Sequence, residues 1–130
     1  EKDKEADIIY AVGLKAFKIK DYELAKAKFK EAYYHCTPDF EQKYKEGVLK
    51  VEAAILNSEG DALFEDKKYE DASKKYQQAI DTSHDVSDIN IYKKNLSKCF
   101  IDLAGPFFNQ NNYIKAVEFY KKAFHKLIEC

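Results

Sequence analysis

The chain contains no arginine, and proline and glycine are scarce. All 22 basic residues are lysine, and only two prolines and four glycines occur among the 130 residues. An all-β chain of this length would need many more turn residues, so this scarcity favours helices. Arginine supplies the planar fork that reads guanine edges and phosphates, and lysine replaces it only as a point charge. The absence of arginine therefore argues against nucleic-acid recognition.

Cysteine is also infrequent, and the three cysteines, Cys36, Cys99 and Cys130, show no paired spacing. An odd number argues against a disulfide framework and favours a reducing, intracellular setting. No apolar run of about 18 residues could span a membrane, and the start of the chain lacks the basic and apolar segments of a signal peptide. We therefore expect a cytoplasmic or nuclear protein that does not enter membranes. Because methionine is absent, we also expect the sequence to be a fragment of a longer protein.

One pattern of aromatic residues and alanines occurs three times in a chain of globular composition, with 45% hydrophobic and 35% charged residues. The copies are Tyr22-Ala25-Phe29-Ala32, Tyr69-Ala72-Tyr76-Ala79 and Tyr113-Ala116-Tyr120-Ala123. Spacings of three, four and three residues place all four side chains on one face of an α-helix. Since alanines let a second helix approach closely, the pattern predicts that each copy packs against another helix.

The apolar periodicity around these copies predicts three helical hairpins. The first pairs a helix over residues 7–19 with one over 22–34, and the second pairs 39–66 with 69–80. Thr37 is the predicted cap of the long middle helix, with Pro38 at its first helical position. In the third hairpin, Gly105-Pro106 predicts a kink, or a helix end followed by a short turn, before the helix over 113–128.

The three hairpins resemble tetratricopeptide repeats over nearly the whole chain. Gly13, Gly60 and Ala104 stand where that family has a small residue in its first helix, and the repeated stripes match its second helix. The units are offset by 47 and 44 residues instead of about 34, and we expect the additional residues to lengthen the first helices. The resemblance implies an all-α fold, a right-handed α-solenoid of three antiparallel hairpins. Its single domain would cover residues 1–130, with units at about 5–38, 39–83 and 85–130.

The resemblance also implies a concave groove that holds a peptide or helix of a partner protein. The groove-facing positions of the first helices are Tyr10, Leu14, Phe17 and Lys18, then Asn57, Asp61, Phe64 and Glu65, then Ile101, Gly105, Phe108 and Asn109. The three phenylalanines among them have an alternative role, which is to pack between units. Relatives that clamp the C-terminal carboxylate of chaperones have a lysine and an asparagine where this chain has Tyr10 and Leu14, then Asn57 and Asp61. We therefore expect no carboxylate clamp of that type.

No constellation of residues predicts catalysis or a metal site. His35 and Cys36 are neighbours, but adjacent residues of a helix point about 100° apart, and no cysteine or histidine spacing suits zinc. The leading hypothesis is a protein-interaction module without enzyme activity or cofactor, whose partner is a protein or peptide. Two alternatives remain open: a self-assembly element that forms a homo-oligomer, and a helical regulatory domain of a larger enzyme.

Overall fold

The structure, a computed structural model, describes residues 2–130, and these form six α-helices and no β-strand. The helices are α1 (Lys2–Lys18), α2 (Tyr22–His35), α3 (Glu41–Glu65), α4 (Tyr69–Thr82), α5 (Val86–Asn109) and α6 (Tyr113–Ile128). A short 3-10 helix, Pro38–Phe40, precedes α3. The prediction of an all-α chain is therefore confirmed.

Two compact units divide the chain within α3, one up to Ile55 and the other from Leu56 to Cys130. The first unit contains α1, α2 and the beginning of α3, and the second contains the remainder of α3 with α4, α5 and α6. At 25 and 24 residues, α3 and α5 are longer than α1, which has 17. The additional residues of the long repeat offsets therefore extend the first helices, as predicted.

The three hairpin turns have the same backbone geometry. Lys20, Lys67 and Asn111 have φ angles of 63°, 61° and 63°, in the left-handed region that favours glycine. In each turn the N–H of the following residue bonds a carbonyl five residues back, as from Asp21 to Ala16 at 2.9 Å. This bond closes the first helix of each hairpin and directs the chain into the second.

In the first unit, the repeated stripe packs as predicted. Phe29 is 1% exposed, and its ring lies so close to Gly13 that a Cβ there would come within 2.5 Å of it. Only a residue without a side chain leaves room for this ring between α1 and α2. Val51 of α3 completes the same buried cluster.

The second unit repeats this arrangement with Tyr76 against Gly60, where a Cβ would come within 2.7 Å of the ring. Leu96 and Cys99 of α5 cover the opposite side of the cluster. In α6 the alanines of the stripe are buried, but Tyr120 is 41% exposed. The packing predicted for the third stripe is therefore confirmed for its alanines and not for its aromatic positions.

One local prediction is wrong, and one of two alternatives predicted at another position does not occur. Thr37 does not cap α3, because its N–H and hydroxyl both donate to the carboxylate of Asp3, 3.0–3.1 Å away on α1, and α3 begins at Glu41 after the 3-10 turn. At Gly105-Pro106, where a kink or a helix end was predicted, the helix end does not occur, since α5 continues through Pro106 to Asn109. Proline removes one backbone hydrogen bond but holds a helical φ, which a long packed helix accommodates.

Candidate binding site in the second unit

A small polar cavity of about 90 Å³ lies among the helices of the second unit. It is lined by Asp61 and Phe64 of α3, Tyr76 of α4, and Asn95 and Lys98 of α5. Both pairs on α3 and α5 are three residues apart, so each pair lies on one face of its helix. The hairpin turn and the α4–α5 connection bring these faces together around the ring of Tyr76.

Two hydrogen bonds organise the polar side chains. The Tyr76 hydroxyl donates to Asp61 Oδ1 at 2.5 Å, and Asn95 Nδ2 donates to Asn57 Oδ1 at 2.8 Å. Burial raises the pKa of Tyr76 above its ordinary value, and the Asp61 hydrogen bond raises it further. The hydroxyl therefore stays protonated and keeps Asp61 in position as an acceptor.

Several polar groups at the cavity have no partner among residues 2–130. The described hydrogen bonds leave the Asn57 amide N–H groups and the Asn95 carbonyl oxygen unoccupied. Lys98 is exposed and forms no ion pair with another described residue. Donors and acceptors thus stand side by side at the cavity, together with the aromatic ring of Phe64.

The size of the cavity limits what it can hold. Sites for cofactors and drug-sized molecules measure about 300–1,000 Å³, whereas a water takes about 30 Å³. A cavity of about 90 Å³ suits a single side chain, with the neighbouring backbone of its ligand outside. Within residues 2–130 no group of three or more metal-ligating side chains occurs, and no helix combines the length and apolar character needed to cross a bilayer.

The first unit shows that hairpin packing does not require these polar residues. Tyr10 and Leu14 stand where the second unit has Asn57 and Asp61, 47 residues later. Phe29 matches Tyr76, and Val48, which is partly buried against the core of the first unit, matches Asn95. The rings of Tyr10 and Phe29 pack 4.9 Å apart and fill the space.

No protein-family model matches this chain, and a search of curated proteins finds no significant match. The tetratricopeptide resemblance therefore continues to rest on the repeated stripes and the small residues that oppose them. Function has to be inferred from the site itself, because a helical repeat fold supports many activities.

The predicted groove residues of the first unit divide into two groups. Tyr10 and Phe17 are partly buried against its core, and the ammonium of Lys43 lies 5.1 Å from the Tyr10 ring. Leu14 and Lys18 are exposed. Tyr10 is therefore occupied by packing, and the exposed pair remains accessible.

The three phenylalanines predicted either for the groove or for packing share one contact. Each lies beside the tyrosine that opens the second helix of its own hairpin, with ring centroids 5.1–5.5 Å apart: Phe17 with Tyr22, Phe64 with Tyr69, and Phe108 with Tyr113. Phe108 nevertheless remains 53% exposed. These rings therefore brace the hairpin turns, and Phe64 in addition lines the cavity.

The remaining predicted residues do not line the cavity. Glu65 is exposed at the end of α3, and Ile101, Phe108 and Asn109 are exposed further along α5. Gly105 is half-buried, with no atom near the position that a Cβ would take. The structure thus places Asp61 and Phe64 at the cavity, with Asn57 hydrogen-bonded to the lining residue Asn95, and leaves the others outside this site.

Sequence reasoning missed Asn95, Lys98 and Tyr76. The resemblance to tetratricopeptide repeats predicts four groove positions near the end of each first helix. In α5 the first of these is Ile101, which comes after Asn95 and Lys98 in the sequence. The repeated stripe predicts only a packing role for Tyr76. A comparison of the two repeats position by position would have found it, because its hydroxyl is what Phe29 lacks.

Proposed function

We propose that this chain is a helical-repeat module of tetratricopeptide type that binds an extended peptide segment of a partner protein. The main observation is the polar cavity of the second unit. Asn95 and Lys98 line it together with the Phe64 ring, and Asn57, which is hydrogen-bonded to Asn95, adds an unoccupied donor next to them. Further support comes from the three equivalent hairpin turns and from the apolar residues that the first unit has at the same positions.

The chemistry favours a peptide in extended form. The amide of Asn57 donates and the carbonyl of Asn95 accepts, which matches the alternating C=O and N–H groups of a peptide backbone. A helical ligand has already paired these groups internally, so it would leave the asparagines unsatisfied. Lys98 and Asp61 would add a charged contact on either side, and the cavity would take one small side chain.

Peptides selected from a random displayed library on the immobilised protein provide the ligand for a test. We expect Asn95→Ala to weaken binding of the selected peptides about fivefold to tenfold, since a neutral hydrogen bond contributes about 1–1.5 kcal/mol. Lys98→Ala should weaken binding of peptides that contain a carboxylate. Titration calorimetry measures both effects.

Matched controls are Ile101→Ala, on the same helix but outside the cavity, and Leu14→Ala in the first unit. Both should change the affinity less than about twofold. Selected peptides that bind equally well to Asn95→Ala and Lys98→Ala would refute this site. A selection that yields no binder would count against the proposed function as a whole.

A further inference from the structure

The last helix exposes an apolar face along its length. Tyr113, Val117, Tyr120, Phe124 and Ile128, which we call the open face of α6, are between 41% and 61% exposed. Their spacings of three and four residues place them on one stripe. A shallow depression of about 370 Å³ follows the beginning of this face. Contiguous apolar surface of this kind usually marks an interaction site.

The other two repeats show what covers such a face. Phe29 and Tyr76, at the position of Tyr120, are 1% and 2% exposed. Val51 covers Phe29 from α3, while Cys99 helps to cover Tyr76 from α5. In both units, the helix that covers the aromatic ring does so with aliphatic or similarly small apolar residues that lie one turn apart.

An uncovered face of this type exists on α1. Ile8, Val12 and Ile19 are 67%, 42% and 76% exposed and lie on one stripe, with Ile19 just after the helix end. Ile8 lies five residues before Gly13, the small residue of the first repeat. The equivalent residues of the other two repeats, five before Gly60 and five before Ala104, are Ile55 and Cys99. Both of those pack into the core of their own unit.

Among the helices of residues 2–130, α6 has five exposed large apolar side chains on one face, and Ile8 and Val12 of α1 form a smaller such face together with Ile19. We propose that the partner of the open face of α6 is a second copy of this chain, which docks its α1 there. The contact is head to tail: α6 of one copy receives α1 of the next, in the way that α4 receives α5 within the second unit.

The charges beside the two faces agree with this docking. Consecutive helices of a hairpin array run antiparallel, so we take α1 of one copy to run antiparallel to α6 of the other. The C-terminal half of α6, with Lys121, then lies against the N-terminal half of α1, with Glu5. The same direction also places the half with Glu118 against the half with Lys15. This orientation therefore pairs Lys121 with Glu5 and Glu118 with Lys15, while Lys4 lies beside Glu5; the two opposite-charge pairs favour this orientation and partner.

A heterologous contact of this type leaves one face free at each end of a dimer, so further copies add to it as an open chain or a closed ring. Its strength is limited by its size. A 16-residue helix is about 24 Å long, and one pair of helices buries less than the roughly 800 Å² per partner of a standard interface. We therefore expect association only above about 10 μM.

Sedimentation velocity from about 1 μM to about 1 mM tests this with three variants. Val117→Glu breaks the open face of α6, Ile8→Glu breaks the face of α1, and Val86→Glu, at a position 72% exposed and on neither face, is the control. Wild type and control should form species that grow with concentration. The other two should each stay monomeric, yet an equimolar mixture should form a 1:1 dimer that grows no further.

The mixture gives a dimer because each variant retains the face that the other has lost. A wild-type monomer at all concentrations would overturn the proposal and leave the open face to an amphipathic helix of another protein. If Ile8→Glu still dimerised while Val117→Glu did not, α6 would pair with itself, and the head-to-tail contact would be rejected. Circular dichroism confirms that the variants are folded, and this test does not involve the cavity of the second unit.

Discussion

The Tyr76 hydroxyl donates to the Asp61 carboxylate between α4 and α3, fifteen residues apart in the chain. The first unit has Phe29 and Leu14 at the corresponding positions, so the fold accepts an apolar pair as well as this polar one. The two residues should therefore behave as a coupled pair in stability measurements.

We expect Tyr76→Phe to lower the free energy of unfolding by about 1 kcal/mol, because Asp61 loses its donor while it remains partly solvated. In the double variant with Asp61→Leu, which reproduces the pair of the first unit, much of this loss should be recovered. Urea unfolding of the two single variants and the double variant measures the coupling. Simple additivity would show that the hydrogen bond does not contribute to stability.

The glycines of α3 and α5 should respond in opposite directions to alanine. Gly60→Ala places a Cβ within 2.7 Å of the Tyr76 ring, so overpacking should outweigh the gain in helix propensity and destabilise by about 1–2 kcal/mol. Gly105 has no atom within 4 Å of that position, and Gly105→Ala should stabilise by about 0.5–1 kcal/mol. Thermal unfolding of both variants under the same conditions gives the comparison. Equal effects would contradict the close contact at Gly60.

The second hairpin lacks a helix cap that the other two have. Asp21 and Asn112 accept hydrogen bonds from the N–H of Leu24 and Lys115, while Lys68, with nearly the same backbone angles, caps nothing. We expect Lys68→Asn to stabilise the protein by about 0.5–1 kcal/mol, and Asn112→Lys to destabilise it by a similar amount. Chemical denaturation of both variants checks the pair, and a Lys68→Asn protein no more stable than wild type would argue against the cap.

The carboxyl of Asp7 should titrate below its ordinary pKa of 3.8, first because of the Tyr44 hydroxyl and then because of the Lys43 ammonium. Because the pKa of this carboxyl is lower in the folded than in the unfolded protein, its ionised form stabilises the fold above about pH 3.8, the ordinary value. This stabilisation is lost as the pH falls through the folded-state pKa. Tyr44→Phe should raise the pKa and make acid unfolding less dependent on pH. Carboxyl-detected NMR measures the titration, with Tyr34→Phe as the exposed control. A pKa unaffected by Tyr44→Phe would show that the hydroxyl has no role.

The helices could be predicted because their signals are local. The stripe from Tyr69 to Ala79 lies within three turns of one helix, so its periodicity alone indicates which face packs. The gaps between the paired helical segments indicate the turns in the same way. The pattern does not show which helix, if any, packs over each stripe. Tyr120 therefore occupies the same position in its repeat as Tyr76, although Tyr120 is exposed and Tyr76 is buried.

The contacts of the candidate site depend on residues far apart in the chain. Asn57 and Asn95 are 38 residues apart, and helical spacing does not indicate that they meet. The same holds for Thr37, since a cap prediction considers only the next three residues, whereas the acceptor of Thr37 is Asp3, 34 residues earlier. Such pairs are determined by how the hairpins fold together, which a local pattern does not specify.

The ring of Phe29 lies between the backbones of two helices, with Gly13 of α1 on one side and Gly47 of α3 on the other. A half-turn of the ring about its own axis sweeps through the space that these backbones occupy. It therefore requires the helices to separate briefly in a closely packed interior. The rate at which this ring flips, seen in the averaging of its two edge resonances, measures how often the first unit opens without unfolding.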